Sequence, residues 1–218
     1  MVKDARNRHD RLHRAMREKI CLLDWAPGAK LSETTIAAEF GTSRTPIRRA
    51  LARLEDGGLV RSKHGVGTFV TEPDVHEIAD IYAMRCELVE LAGVLSPVSP
   101  TDDHMAILAA LAERAHALKR APDARALARL NMDFFDFGLS LTANKTLKDM
   151  SERLYYQTAR LWLQQISALD LDQECNIATT EIEETSRALG VGDTRAAAAI
   201  RRAHVSMSAL RINRAKTI

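Results

Sequence analysis

Arg44, Thr45, Arg48, Arg49 and Arg53 crowd one short stretch of the chain. A guanidinium carries five N–H donors in a planar fork, a shape that meets guanine O6 and N7, or a phosphate, two bonds at a time. Interleaved Ile47, Leu51 and Leu54 repeat at i, i+4 and i+7. On a helix they turn inward and leave the arginines at its start and on its outer faces. This arrangement suits contact with base edges and phosphates from the N-terminal end of a helix lying in a major groove. Taken alone, the same run fits an ordinary solvated helix equally well, so the neighbouring elements decide.

Those neighbours specify a helix, a tight turn and a second helix. Ser32 with Thr35 starts the first, whose Ile36, Ala37 and Phe40 turn inward. Gly41 can take the left-handed conformation that ends it. Ser43 is placed to cap the second helix with its hydroxyl, and Pro46 falls in the first turn, where a missing N–H costs little. An earlier helix is expected over residues 9–24, with Leu12, Met16, Ile20 and Leu23 as core and Trp25 as packing; Pro27-Gly28 ends that excursion. After the arginine helix, Leu59–Ser62 and Thr68–Thr71 are β-prone segments around Lys63-His64-Gly65-Val66-Gly67. A hairpin there makes a winged helix-turn-helix, with Lys63, His64 and the Gly65 backbone at a basic wing tip.

Three stretches, Pro27–Glu33, Ser43–Leu51 and Leu54–Val60, together resemble the N-terminal domain of the GntR superfamily of bacterial transcription regulators. In its FadR-type branch, residues matching Arg44, Thr45, Arg48, His64 and Gly65 touch DNA, and the resemblance implies those roles here. Thr34 matches a position where some members place an arginine, which implies a weaker phosphate contact. With the outward Ser43, Arg49 and Lys63, these form the expected DNA-binding set.

The chain has 218 residues, 46% hydrophobic and 28% charged, as a soluble globular protein does. Its net charge of +2 divides unevenly: residues 1–73 hold 14 Lys/Arg against 9 Asp/Glu, and residues 74–218 hold 17 against 20. Phosphate attraction therefore belongs to the first part. Cys21, Cys86 and Cys175 are scattered, odd in number and without a C-x-x-C pair, which predicts a reduced, cytoplasmic protein. No apolar run reaches the roughly 18 residues of a membrane span, and the Arg- and His-rich start is no signal peptide.

At Glu72-Pro73-Asp74 the pattern changes to long helices, predicting a winged helix-turn-helix domain over 1–72 and a helical domain over 73–218. Six helices are expected there, at about 75–95, 101–119, 122–142, 145–168, 172–189 and 193–214. The predicted fold class is mainly α: the winged domain followed by an all-α antiparallel bundle whose interior can hold a ligand.

Ile81–Arg85, the stretch from Phe134 to Asn144, and Leu189–Asp193 with Ala196 and His204 resemble the FCD domain, the ligand-binding and dimerising domain of the FadR branch; six helices suggest its VanR-like subgroup. Many members hold a divalent metal through one Asp and three His. The resemblance places those ligand positions at Asn131, Phe135, Ile182 and His204, a set that cannot retain a transition metal. A shift of alignment brings Asp133 or Asp136 into play, but the expectation is no cofactor. Phe135 and Ile182 either pack as ordinary core or, if they face the same cavity, make it drier and favour an apolar or aromatic effector. Asn131 and His204 would orient its polar end, and Arg85 would pair with a carboxylate if the effector is an acid. Tyr155, Tyr156, Arg160 and Trp162 share one helix and divide between lining and packing, with Arg160 counted among the ligand residues.

Catalysis is not expected. Glu113-Arg114-Ala115-His116 is the only Glu-x-x-His run, where a di-iron site needs two, and the chain contains neither G-x-S-x-G nor a glycine-rich phosphate loop. The reading is a homodimeric, effector-controlled repressor on an inverted-repeat operator in double-stranded DNA. An effector-free DNA-binding dimer and a metal-dependent helical sensor or enzyme are the alternatives.

Overall fold

A computed structural model of the chain describes residues 2–72 and 75–215. It divides into two compact units, Met1–Asp74 and Val75–Ile218. Pro73 and Asp74, where the sequence changes character, lie outside the described residues.

The first unit contains α1 (Val2–Cys21), β1 (Lys30–Leu31), α2 (Glu33–Glu39), α3 (Arg44–Asp56), β2 (Val60–Lys63) and β3 (Gly67–Val70). Met16, Ile20, Ile47 and Leu54 are fully buried, with Ile36, Leu51, Val60 and Val70 around them. Helix α1 starts and ends earlier than its periodicity predicts. The chain turns left-handed at Leu23 (φ 62°), and Leu22 rather than Leu23 enters the core. Trp25 lies against Lys19, whose Nζ is 5.8 Å from the ring centroid. The hairpin forms with Val60 opposite Val70 and Lys63 opposite Gly67. Strand β1, too short to leave an alternation in the sequence, pairs antiparallel with β3, so the sheet order is β1-β3-β2.

The corner between α2 and α3 turns on Gly41, left-handed at φ 59°. The Ser32 hydroxyl caps α2 by accepting from the Thr35 N–H at 3.3 Å. Ser43 occupies the corresponding position before α3, but its hydroxyl makes no capping bond, contrary to the sequence expectation. Replacing Ser32 with alanine is therefore expected to cost about 1 kcal/mol, and replacing Ser43 only a few tenths, in chemical denaturation. Equal losses would contradict the geometry.

The second unit is a bundle of α4 (Val75–Ala92), α5 (Asp102–Arg120), α6 (Ala124–Ser140), α7 (Lys145–Gln164), α8 (Leu171–Gly190) and α9 (Thr194–Ala215). The six expected helices all form, although α7 ends at Gln164 and a single 3-10 turn, Ile166–Ala168, follows it. Side-chain caps set the starts of α5 to α8: Thr101 with His104 in a capping box, then Asp123, Asn144 and Asp170. Helix α4 packs on α9 and α7, and α5 packs on α8 and α6. Leu108, Leu127, Leu130, Ile182 and Ile212 fill the interior. Among the described residues no helix is long and apolar enough to cross a membrane.

Candidate nucleic-acid interface and bundle cavity

Burial of Ile47, Ala50, Leu51 and Leu54 against the small core rotates α3 so that Arg44, Thr45, Arg48 and Arg49 are exposed. The side chains of Arg44 and Arg48 are 60% and 66% exposed, yet neither is loose. Glu33, the first residue of α2, accepts from both. Arg48 donates Nε to one carboxylate oxygen at 3.0 Å and Nη2 to the other at 2.9 Å. Arg44 donates Nε and Nη2 to a single oxygen at 3.4 and 3.1 Å. The hydrogen bonds from Arg48 hold the Glu33 carboxyl below the usual carboxylate range, and Glu33 in turn raises Arg48 above its ordinary value. Arg53 is paired instead with Asp10 at 2.7 Å, away from the start of the helix.

The wing is fixed to the same helix. Glu55 of α3 accepts from the Ser62 backbone N–H at 2.6 Å and from the Ser62 hydroxyl at 2.8 Å, which sets β2 against α3. At the tip, the Val66 N–H donates to the Lys63 carbonyl at 3.0 Å, closing a turn in which Gly65 is left-handed at φ 70°. Lys63, His64 and Gly65 are exposed there, and Lys63 Nζ lies 5.4 Å from the Phe69 ring centroid. Thr34 and Ser43 are exposed as well. The whole expected DNA-binding set is thus on the surface of one small unit. Glu33 and Glu55 were missing from that set, because a lone glutamate in a helix reads as solvated surface.

In the bundle, a cavity of about 100 Å³ opens among α4, α6, α7, α8 and α9. Arg85, Asn131 and His204 line it, as the sequence implied. Arg85 Nη1 donates to the Thr158 hydroxyl at 2.8 Å, and its guanidinium carbon lies 4.7 and 5.1 Å from the ring centroids of Tyr82 and Tyr155. The opposite wall is charged. Arg201 donates to Glu181 at 2.6 Å; Arg211 donates to buried Glu174 at 2.6 Å, which also accepts from the Trp162 indole N–H at 2.8 Å. His204 is wedged between two carboxylates, Nδ1 3.9 Å from Glu181 and Nε2 3.5 Å from Glu184. Two of the three lining arginines are therefore neutralised by glutamates. Among the described residues Arg85 meets a neutral hydroxyl and two rings, and no carboxylate.

This overturns the expectation of a dry, apolar cavity. Phe135 lies flat on Tyr155, ring centroids 3.8 Å apart, and lines a separate apolar cavity of about 50 Å³ with Phe134 and Leu88. Ile182 is fully buried and Arg160 is 1% exposed; neither lines either cavity. The polar wall comes from Glu174, Glu181, Arg201 and Arg211, none of them singled out from the sequence. Their spacing was the available signal. Arg201, His204, Ser208 and Arg211 follow i, i+3, i+7 and i+10, one face of a helix.

Of the four positions the resemblance marks, Phe135 and Ile182 carry hydrocarbon. Asp133 is paired with Arg114 at 2.7 Å, and Asp136 accepts from the Tyr156 hydroxyl at 3.1 Å. Among the described residues no group of three or more His, Cys, Asp or Glu side chains is placed to hold a metal ion.

The first unit is a winged helix-turn-helix and the second a cavity-bearing helical bundle. Residues 8–70 match the family model of bacterial regulatory proteins of the gntR family, and residues 80–207 match that of the FCD domain. The chain belongs to the gntR family and carries an FCD domain. It is 30% identical over 129 residues to an uncharacterized HTH-type transcriptional regulator, YdhC, of Bacillus subtilis, covering 59% of this chain and 58% of that one. With the histidine utilization repressor of Klebsiella aerogenes it shares 44% identity over 66 residues, covering 30% of this chain and 27% of that one. The chain thus spans less than two thirds of the length of each of these two relatives. In structure it resembles Escherichia coli McbR/YncC, with a TM-score of 0.80 at 19% identity over 94% of this chain and 97% of the other; that likeness is one of fold.

Proposed function

We propose that this protein is a sequence-specific, DNA-binding transcriptional repressor, working as a homodimer on an inverted repeat. The observation that carries the reading is the exposed pair Arg44 and Arg48 at the start of α3, beside a basic wing that Glu55 locks to the same helix. Repression is supported by the name of the Klebsiella relative, whose 66 matched residues are 44% identical to this chain. Selection of duplexes from a randomised library by the purified protein tests it: enrichment of an inverted repeat is expected, and enrichment of nothing refutes it.

The bundle cavity is the effector site, and its effector is a small organic acid held without a resident metal. Arg85 supports this, as the one lining arginine with no carboxylate partner among the described residues. A carboxylate meeting Arg85 gains a charge-assisted bond worth about 1.5–3 kcal/mol, or roughly 10- to 150-fold in affinity. Arg85→Met, which keeps the apolar stem between Tyr82 and Tyr155, is expected to abolish thermal stabilisation by small carboxylic acids while leaving DNA binding in their absence unchanged. Equal stabilisation of both proteins would remove Arg85 from the site.

A further inference from the structure

We infer that Glu33 is a specificity-determining positioning residue, holding the inner edges of Arg44 and Arg48 so that only the outer edge of each guanidinium is offered to DNA, that of Arg48 to a base and that of Arg44 to a phosphate. The inference rests on the DNA-binding reading and adds to it a residue that makes no base contact of its own.

A guanidinium has two edges that can form paired hydrogen bonds, Nε with Nη2 and Nη1 with Nη2. In Arg48 the Nε and Nη2 donors are spent side-on, one on each oxygen of Glu33. In Arg44 the same two donors converge on one of those oxygens. What remains in each case is Nη1 with the second Nη2 proton, a pair that can meet guanine O6 and N7 from Arg48 and a phosphate from Arg44. Two long, exposed side chains are thereby restrained before DNA arrives, and the ordering they would otherwise lose on binding is already in place.

Electrostatics alone would place no carboxylate here. A negative charge beside two cations weakens their attraction to phosphate, and Glu33 stays ionised because Arg48 bonds to it. Such a residue lowers affinity for DNA of any sequence and raises discrimination among sequences. Its effect therefore belongs in the ratio of two affinities. That ratio is insensitive to partial unfolding, which lowers both equally.

The test uses the full chain and a duplex selected by the wild-type protein from a randomised library, compared with a scrambled duplex of the same composition. Glu33→Ala is expected to bind the scrambled duplex more tightly than wild type and to lose about tenfold in the ratio of selected to scrambled affinity. Glu33→Gln, which keeps one acceptor oxygen without the charge, is expected to fall between. The loss should concentrate at guanines, so replacing each guanine pair in turn should matter less to Glu33→Ala than to wild type. An unchanged ratio, or affinity raised equally for both duplexes, overturns the inference while DNA binding stands; a wild-type protein that selects no duplex overturns both.

Discussion

Replacing Arg48 with alanine is expected to lower affinity for the selected duplex by about 1–3 kcal/mol, roughly 5- to 150-fold. The expectation comes from geometry. Arg48 lies one turn into α3, where a recognition helix meets base edges, and it is bonded to both oxygens of Glu33 while 66% of its side chain is exposed. Arg44, at the first position of the helix and held more loosely, sits where phosphates approach a helix N-terminus. Its alanine variant should weaken binding more evenly across sequences and reduce the salt slope by about 1. Fluorescence anisotropy at several salt concentrations separates the two behaviours. Unchanged affinity in both variants would dismiss α3 as the reading helix.

The second large effect is on stability. Glu174 is 6% exposed and satisfies two groups at once, the Arg211 guanidinium and the Trp162 indole N–H. Alanine at 174 leaves both without that acceptor inside the bundle. Breaking a buried pair costs about 3–5 kcal/mol. Because Arg211 keeps 24% of its side-chain exposure, water recovers part of this, and about 2–4 kcal/mol is expected. That corresponds to a fall in Tm of roughly 5–15 °C for a unit of this size. Glu174→Gln, which keeps an acceptor for Trp162, should lose about half as much. The exposed Lys145–Asp149 pair on α7 offers the contrast: with the lysine side chain 86% exposed, its removal should cost about 0.3–0.5 kcal/mol. A Glu174→Ala variant as mild as that would mean the network contributes nothing beyond packing.

Much of the surface proposed to face DNA was legible because it depends on neighbours in sequence. Gly41, Ser32, Pro46 and the Ile47-Leu51-Leu54 spacing act over one or two helical turns, and the exposed arginines follow from where those apolar residues must go. Ser43 marks the limit of such reasoning. Its position was right, but whether its hydroxyl caps α3 depends on a rotamer that sequence does not display.

The cavity was half legible. Arg85, Asn131 and His204 came from the resemblance and do line it, whereas Phe135 and Ile182 do not. Successive residues on a helix point about 100° apart, so a small rotation of α6 or α8 about its axis exchanges a lining residue for a packed one. That rotation is set by contacts across the bundle. Phe135 turns away because Tyr155, on another helix, offers a ring to stack on.

The chain alone therefore determined which segments are helical, which of their stripes are apolar, and that the arginines of α3 stand outside, since these follow from bonds and side-chain neighbours within a turn or two. Tertiary structure decided which charges meet. Glu33 reaches Arg44 and Arg48 across 11 and 15 residues, Glu174 reaches Arg211 across 37, and Arg85 reaches Thr158 across 73. Pairings over such separations exist only once hydrophobic burial has docked one helix on another, and with them came the polarity of the cavity and the poise of Arg44 and Arg48.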